Sequence, residues 1–361
     1  GVTPGSDSAS PPPAVHARRL TAQLLAGRPA HDPVAVCERL LAVQGQDPRG
    51  ARLAIRARTH GVSAADVDRA LTEDRSLLIT WCNRGTLHLV RSEDYPWLAL
   101  LSTPQLRTSN STRLAQEGLA PAGIKRGLRV IERSLVSEGP LTRAQLGHAL
   151  QRADVPIAGQ AIIQLLFRAA IDGLIVRGPM IGRQHAYVLV RDWLPDPGPI
   201  DRDVALAELG RRYLAGHGPA SERDLARWAG VPLRDARAGL SAIARELVQR
   251  PDGLVELACG VRRAARLPAP RLLGAFEPVL LGWQSRAAVL GEHAAPVVSG
   301  GIFRGFAIVQ GRAVAVWAIR NGRVLIEPYV PVSDEVAGAL ERDADAVLAF
   351  LGLGQAPASE G

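Results

Sequence analysis

The sequence predicts a mainly α-helical protein with some β-structure, made of tandem winged-helix motifs and a C-terminal antiparallel β subdomain. A winged helix is a helix-turn-helix followed by a β-hairpin. Three observations predict this class: a short segment at residue 139 that returns at residue 218, amphipathic helices followed by glycine-broken strand-prone segments, and alternation of apolar and polar residues after residue 267. The chain is long enough for about two to three domains.

Composition favours a globular protein with an anionic partner. The chain has 361 residues, of which 47% are hydrophobic, and its 43 basic and 35 acidic residues give a formal net charge of +8. The apolar content excludes wholesale disorder. Lysine occurs once, at Lys125, so the positive charge is almost entirely guanidinium, which suits phosphate and guanine edges.

Several protein classes are excluded by what the sequence lacks. The three cysteines, Cys37, Cys82 and Cys259, are far apart and form no CxxC pair, so neither a disulfide framework nor a metal site is expected. Phosphate-binding loops of the GxxxxGK[ST] and GxGxxG kinds are absent, so no cofactor is expected. No apolar run approaches the roughly 20 residues that span a bilayer. We expect a cytoplasmic, nucleoid-associated monomer.

The N-terminal part fits the winged-helix plan loosely. Residues 1–14, rich in proline and small side chains, are predicted to be a disordered tail, and residues 15–135 to be the first winged-helix region. Helical patterns cover 15–26, 33–45, 48–58 and 63–73, strand-prone segments cover 77–80 and 86–90, and 94–136 is predicted to be helical and connecting. The segment 81–85 is then the tip of a first wing.

Residues 136–200 are predicted to form the second winged helix. Thr142 is placed to cap its first helix. The second helix carries Gln160, Gln164 and Arg168 four residues apart, and therefore on one face. The strand-prone residues 174–190 supply the wing.

Residues 201–267 repeat this plan as the third winged helix. Ser221 takes the capping position, Arg234, Arg237 and Arg245 share one helical stripe, and the strand-prone residues 254–267 supply the wing. A single polar helix face is often only solvated. Three tandem copies on an arginine-rich chain favour DNA binding by these faces.

The pattern changes to strands in the last region, residues 268–361. Alternating segments cover 302–309, 313–319 and 323–329, with Gln310-Gly311 and Asn321-Gly322 as hairpin turns. An acidic amphipathic helix over about 333–351 closes the chain. We expect a small antiparallel sheet or barrel.

A glutamine pair is the strongest candidate for chemistry. Gln44 and Gln46 flank Gly45, which lets a partner approach the backbone closely, and the following helix carries Arg49, Arg52 and Arg56. The triplet alone is equally compatible with a helix cap or a solvated turn. Asp47 is interpreted as the cap of that helix, with a general base as the alternative.

A nucleophile and base could also be sought in Cys82 and His88. Six positions separate them on the first predicted hairpin, so they form a weak dyad, and Cys82 is expected to be simply buried.

Two segments resemble the AlkZ/YcaQ family of winged-helix DNA glycosylases: residues 41–54, LAVQGQDPRGARLA, and residues 81–90, WCNRGTLHLV. Residues 211–214, 218–220 and 225–230 resemble it too. The resemblance runs from about residue 15 to 350, with the two best motifs in the family's order. Gly45 departs from the usual apolar residue, and residues 276–282, FEPVLLG, replace the commoner FDEYLLG.

The resemblance implies excision of N7-alkylguanine from double-stranded DNA, including bulky antibiotic adducts and, in some members, interstrand crosslinks. It makes Gln44 and Gln46 the catalytic residues. Alkylation at N7 leaves a cationic base, so the glycosidic bond already tends to break towards an oxocarbenium-like sugar. An amide oxygen can stabilise that charge or position the attacking water; which glutamine does which is left open.

Bulky lesions favour an open cleft over a tight pocket for a flipped base. Its wall is predicted to be the first wing, whose candidate DNA contacts are Arg84, Gly85, Thr86 and His88. Arg84 is expected at the hairpin tip, and His88 is expected to point inward.

Two rivals from other classes stay open on sequence grounds. Tandem winged helices alone would suffice for a non-catalytic transcriptional regulator. A drug-sequestering protein would bind the free alkylating agent without DNA.

Overall fold

The computed structural model describes residues 10–260 and 264–354, and its N-terminal region alternates short helices and strands. The elements are α1 (Pro13–Ala22), α2 (Pro33–Leu40), β1 (Val43–Gln44), α3 (Pro48–Arg56), α4 (Ala64–Thr72), β2 (Leu77–Cys82), β3 (Thr86–Arg91), α5 (Tyr95–Ser102) and α6 (Leu106–Gln116). Residues 1–9 of the predicted tail lie outside the described residues, and α1 already begins at Pro13. The predicted helix over 33–45 ends at Leu40 because Leu41 takes a φ of 64°, after which β1 forms.

The next region contains the predicted helix-turn-helix and hairpin. Its elements are α7 (Pro121–Glu138), α8 (Arg143–Arg152), α9 (Ala161–Ile171), β4 (Ile175–Ile181), β5 (Gln184–Leu189) and α10 (Val190–Trp193). The capping role of Thr142 is confirmed: its hydroxyl accepts from the Gln145 amide at 3.4 Å, and the Gln145 side chain accepts from the Thr142 amide at 2.8 Å.

The third region repeats this order with α11 (Arg202–His217), α12 (Glu222–Ala229), α13 (Leu233–Ala242), a 3₁₀ turn (Ala244–Glu246), β6 (Leu247–Gln249) and β7 (Val255–Leu257). The sequence repeat is also structural, since Leu141 bridges to Tyr187 in one copy and Ala220 to Val255 in the other. Helix α13 ends earlier than its polar stripe predicts. The predicted strand over 254–267 is confined to β7 within the described residues.

One sheet joins the first two regions. Its strand order is β1-β3-β2-β4-β5, and Ile79 of β2 pairs with Arg177 of β4. One face of the β2–β3 hairpin, which includes Leu89, packs into the core that also contains helices of the second region. The other face packs into the core that also contains Tyr213 and Trp228 of the third region. The hairpin is therefore covered from both sides.

The C-terminal region forms a four-stranded antiparallel sheet, β13-β12-β11-β8, closed by a long helix. Its elements are β8 (Arg271–Leu273), α14 (Pro278–Leu281), α15 (Ala287–Leu290), β9 (Val298–Ser299), β10 (Ile302–Phe303), β11 (Gly305–Val309), β12 (Arg312–Arg320), β13 (Arg323–Pro328) and α16 (Asp334–Phe350). Both predicted turns are confirmed, because Gln310-Gly311 and Asn321-Gly322 take positive φ angles. The predicted strand over 302–309 is interrupted at Arg304, and β10 pairs with β9.

The C-terminal region packs directly on α3, the helix that follows the glutamine pair. Arg58, just beyond α3, donates to Glu277 at 2.5 Å, and both side chains are fully buried. This ion pair gives the 276–282 segment a structural role, because a buried arginine needs a carboxylate partner. Among the described helices, none is long and apolar enough to cross a membrane.

Candidate active site

Strand β1 fixes the position of Gln44. The two-residue strand pairs with β3, which places Gln44 opposite His88, and His88 in turn lies opposite Thr80 of β2. Directly opposed residues project from the same face of a sheet with neighbouring side chains. Gln44, His88 and Thr80 therefore form a short row across three strands, and each is at most 7% exposed.

This buried row has polar atoms without partners. In residues 10–260 and 264–354, no hydrogen bond reaches Gln44 Oε1, Thr80 Oγ1 or the nearby Thr86 Oγ1. Buried polar atoms in proteins are almost always paired, so unpaired ones mark a candidate functional site. A ligand atom or a water held by a ligand would satisfy them.

His88 is neutral at this site. Burial, and then the positive charge of Arg84, lower the pKa of His88 to about 3. Its Nδ1 lies 2.9 Å from the carbonyl oxygen of Thr86, which makes Nδ1–H the donor. The expectation that His88 points inward is confirmed, and the side chain supplies no positive charge near neutral pH.

Gln46 differs from Gln44 in being exposed. Its Oε1 accepts a long hydrogen bond of 3.5 Å from the Leu87 amide. Asp47 is the cap of α3, as predicted, because its Oδ1 accepts from the Arg49 amide at 3.1 Å. A Cβ on Gly45 would come no closer than 3.6 Å to its neighbours, so crowding does not account for glycine at this position.

The three α3 arginines do not form the shared exposed face that their spacing predicts. Arg49 is exposed. Arg52 is buried and donates through Nε to Asp68 at 3.0 Å, and Arg56 donates to Asp343 at 2.5 Å. DNA contact by Arg52 or Arg56 would require these ion pairs to open.

The tip of the β2–β3 hairpin, where Arg84 was expected and is found, is docked against the third region. Arg84 Nη1 donates to the carbonyl oxygen of Trp228 at 2.9 Å. A Cβ on Gly230, at the end of α12, would lie 2.3 Å from the Asn83 carbonyl oxygen, so only glycine permits this approach. Gly85, in the turn of this hairpin, has a positive φ of 80°, which glycine adopts readily.

The polar face of α9 is covered by α6. Gln164 Oε1 accepts from Asn110 Nδ2 at 3.1 Å, and Arg168 donates to Asp172 at 2.7 Å. Gln160 is exposed at the start of α9. Of these three predicted DNA contacts, Gln160 is the one whose side chain is exposed.

The arginine stripe predicted in the third region is divided between two elements. Arg234 is exposed on α13, and Arg237 on the same helix is paired with Glu222 at 2.8 Å. Arg245 lies beyond the end of α13, in the 3₁₀ turn. The stripe therefore does not continue as one helical face.

Sequence reasoning missed Thr80, Asn83, Arg227 and Arg286. Thr80 follows from the hairpin register once the turn is placed at 83–85, because it then faces His88. Asn83 takes a φ of 52° and is fully buried, with both amide atoms unpaired among the described residues. The two arginines come from distant segments, and although Arg227 lies within the 225–230 segment that resembles the family, the sequence pattern does not bring it together with Arg286.

Cysteine nucleophile chemistry has no support at this site. Cys82 is buried, and burial raises the pKa of its thiol. It lies opposite Thr86 rather than His88 in the hairpin. Within the described ranges, no group of three or more His, Cys, Asp or Glu side chains could hold a metal ion.

Comparison with known proteins identifies the family. The family model described as DNA glycosylase AlkZ-like matches residues 37–350. A curated relative from Streptomyces sahachiroi, named interstrand DNA cross-link repair glycosylase, is 27% identical over 370 residues, which cover 95% of this chain and 97% of the relative. The solved structure of the Streptomyces sahachiroi DNA glycosylase AlkZ has the same fold, with a TM-score of 0.74, 24% identity, and coverage of 96% of this chain and 98% of that one. The chain belongs to the AlkZ-like family and is a DNA glycosylase.

Proposed function

We propose that this glycosylase hydrolyses the N-glycosidic bond of N7-alkylated guanine in double-stranded DNA, including bulky adducts and interstrand crosslinks. The observation that carries the proposal is the buried Oε1 of Gln44, which has no partner among the described residues and lies two positions from the exposed Gln46. The curated relative, whose name specifies cross-link repair, supports the crosslink substrate. Resistance to a DNA-alkylating antibiotic is the biological role that fits this substrate.

Gln44 is assigned the charge-stabilising role. The transition state of the reaction carries positive charge on the sugar, and a fixed carbonyl dipole stabilises it most strongly where water is excluded. Gln44 Oε1 meets this condition because the side chain is 7% exposed and no donor among the described residues competes for the oxygen. The amide needs no proton transfer, since the alkylated base leaves as a neutral species.

Gln46 is assigned the positioning of water. Its side chain is exposed, so a solvent molecule can reach it, and its 3.5 Å contact with the Leu87 amide holds Oε1 only weakly. A water that donates a hydrogen bond to this oxygen is held close to the sugar carbon that it attacks, and the proton that it loses as the C–O bond forms passes to the solvent that reaches this exposed side chain. Asp47, as the cap of α3, is left out of proton transfer.

DNA is proposed to lie across the tandem winged helices of residues 15–135, 136–200 and 201–267. The exposed members of the predicted set are the proposed contacts: Arg49, Gln160, Arg234, Arg237 and Arg245, with Arg84, Gly85 and Thr86 on the half-buried first hairpin tip. The protein is proposed to act as a cytoplasmic monomer associated with the nucleoid.

Product analysis tests this proposal. Purified protein is incubated with a duplex that carries one N7-methylguanine and with a duplex that carries one bulky N7 adduct or crosslink. We expect free alkylated base by mass spectrometry, and an equal amount of alkali-labile abasic site. DNA binding without base release from any of these substrates would contradict the proposal and favour a regulator.

A further inference from the structure

Three arginines converge where the first hairpin meets the third region. Arg84 is at the hairpin tip, Arg227 is in the last turn of α12, and Arg286 precedes α15. Arg84 Nη1 donates to the carbonyl oxygen of Trp228 at 2.9 Å, and a longer contact of 3.4 Å reaches the carbonyl oxygen of Arg227. These bonds fix the Arg84 guanidinium beside the backbone of α12.

Arg286 is fixed in the same manner. Its Nε donates to the carbonyl oxygen of Leu280 at 2.9 Å, and its guanidinium lies over the ring of Phe303, 5.1 Å from the ring centroid. A guanidinium has five N–H donors. Arg84 is therefore held through Nη1 alone and Arg286 through Nε alone, and no hydrogen bond within the described residues uses their other N–H donors.

The three charges have no carboxylate partner. In the described part of the chain, no Asp or Glu oxygen lies within 4.0 Å of the Arg84, Arg227 or Arg286 guanidinium. Arg227 is exposed, and Arg84 and Arg286 are half-buried. Several other arginines that are at least half-buried have such a partner, and these pairs are Arg19 with Asp224, Arg52 with Asp68, Arg56 with Asp343, Arg58 with Glu277, and Arg212 with Asp94. Arg177 and Arg271 instead contact aromatic rings and a backbone carbonyl oxygen, respectively. Arg84 and Arg286 therefore differ from these five paired arginines, because their charges have no carboxylate beside them in the described part of the chain.

The uncompensated charges act on one another. Burial lowers the pKa of Arg84, and the nearby charges of Arg227 and Arg286 lower it further. The pKa of Arg286 is lowered by burial and then by Arg227. Partly desolvated like charges repel, and an anion placed among them would relieve the repulsion.

We propose that Arg84, Arg227 and Arg286 bind a single backbone phosphate of the DNA strand, close to the nucleotide whose base is excised. The inference rests on the proposed function, because that function supplies DNA as the source of the phosphate. The position follows from the hairpin itself, since Arg84 is at the tip of the same hairpin that places His88 opposite Gln44. A phosphodiester oxygen accepts from several guanidinium N–H donors, which suits three converging arginines.

Charge-removing variants of Arg227 and Arg286 test the site. Arg84 is left intact because its bond to Trp228 also holds the hairpin. Arg227→Gln and Arg286→Gln are each expected to lower the affinity for a lesion-containing duplex by about 5- to 50-fold at low salt. Each should also reduce the slope of log affinity against log salt, by up to about 0.9, which is the contribution of one whole phosphate.

Arg191→Gln is the matched control. Arg191 is exposed on α10, where it pairs with Glu132, so the substitution removes the same charge away from the cluster. It is expected to change affinity by less than about twofold and to leave the salt slope unchanged. Cluster variants that behave as Arg191→Gln does would overturn the phosphate site.

A second measurement separates a local phosphate contact from a general loss of charge. Single methylphosphonate linkages, which are neutral, are placed one at a time on either side of the lesion. We expect one position at which the methylphosphonate and Arg286→Gln each weaken binding but together weaken it no further. Additive losses at every position would overturn the proposal.

Stability provides a third readout. Removing a partly buried, unpaired cation relieves repulsion, so Arg286→Gln should leave the melting temperature unchanged or raise it. A marked fall in melting temperature would assign Arg286 a structural role and overturn the proposal.

If the wild type releases base but the variants bind normally, the phosphate site alone fails. If cluster-dependent binding occurs without base release, the proposed reaction alone fails.

Discussion

Two glutamines separated by one residue lie in different surroundings, and this difference is the basis for dividing their roles. Gln44 is buried in a sheet with its Oε1 unpaired among the described residues, whereas Gln46 is exposed. A buried carbonyl without a donor lowers stability by about 1 to 3 kcal/mol. The Gln44 oxygen therefore makes no hydrogen bond within the described residues that would stabilise the fold, which agrees with the role proposed for it in binding the transition state.

We predict that Gln44→Leu stabilises the protein by about 1 kcal/mol, because the change removes an unpaired buried oxygen at nearly constant volume. Chemical denaturation measures the free energy of unfolding. Gln23→Leu is the matched control: Gln23 is also buried, but it donates to Gly216 and accepts from Arg58, so its loss should destabilise by about 1 to 3 kcal/mol. Destabilisation by Gln44→Leu would show that Gln44 is a structural residue.

We predict that His88 makes the protein sensitive to acid. Its pKa is about 3 in the folded protein and about 6.5 when unfolded, so the unfolded chain binds a proton below pH 6.5 that the folded chain excludes until pH 3. The contribution of His88 to stability is full above pH 6.5 and falls as the pH drops, by about 2 kcal/mol between pH 7 and pH 5.

Unfolding free energies of wild type and His88→Gln across this pH range check the prediction. The variant should lose less stability between pH 7 and pH 5 than the wild type does. His31→Gln, which alters a side chain that is 84% exposed, should reproduce the wild-type dependence. Parallel curves for His88→Gln and wild type would contradict the assigned burial effect.

At the scale of elements, local signals predicted most helices and turns, and long-range contacts decided the rest. The caps at Thr142 and Ser221 and the two tight turns of the C-terminal sheet depend on neighbouring residues, so the sequence pattern contained them. The pairing of Gln44 with His88 joins two strands that are far apart in the sequence, and so does the neighbouring contact between Gln46 and Leu87, which spans 41 residues. Neither contact could be predicted from a local pattern. The same applies to the docking of the first hairpin on α12.

The docked tip changes what is expected of Gly85. An exposed hairpin tip would tolerate a side chain without loss of fold, but a Cβ here would lie 3.2 Å from Leu106, at a φ of 80°. We predict that Gly85→Val destabilises the protein by about 1 to 3 kcal/mol and impairs excision. Gly230→Ala, on the opposite side of the contact, should do the same, because its Cβ would collide with the Asn83 carbonyl.

Melting temperature and single-turnover excision, measured on both variants, check this prediction. Gly182→Ala is the control, because Gly182 also has a positive φ at a hairpin turn but has open space around its Cβ position. Its stability loss should be limited to the backbone strain. Normal stability and excision in Gly85→Val would mean that the docked tip contributes neither to the fold nor to the site.

At the scale of the whole molecule, ion pairs decide which of the many arginines are available to DNA. The net charge of +8 describes the chain as a whole, yet Arg52 and Arg56 are paired within the fold while Arg49 beside them is exposed. The pairing of Arg56 with Asp343 also ties α3 to the C-terminal helix α16. The spacing of the three arginines along α3 therefore predicted a shared face, but it could not predict that two of them are paired within the fold while the third is exposed.

We predict that affinity for undamaged duplex falls with salt with a log-log slope of several units, since each neutralised phosphate contributes about 0.9. Arg49→Gln should reduce this slope by about one contact. Arg56→Gln should leave the slope unchanged and lower the melting temperature instead, because Asp343 loses its partner. Equal effects of the two variants on the slope would contradict the proposed division.

The most direct test of the central claim is the single-turnover rate of base release from a duplex with one N7-alkylguanine, measured with the protein in saturating excess. We predict that Gln44→Ala and Gln46→Ala each slow release by about 10- to 1,000-fold, the scale of one lost transition-state contact, while DNA affinity stays nearly unchanged. Wild-type rates in both variants would contradict the claim that the two amides carry the reaction.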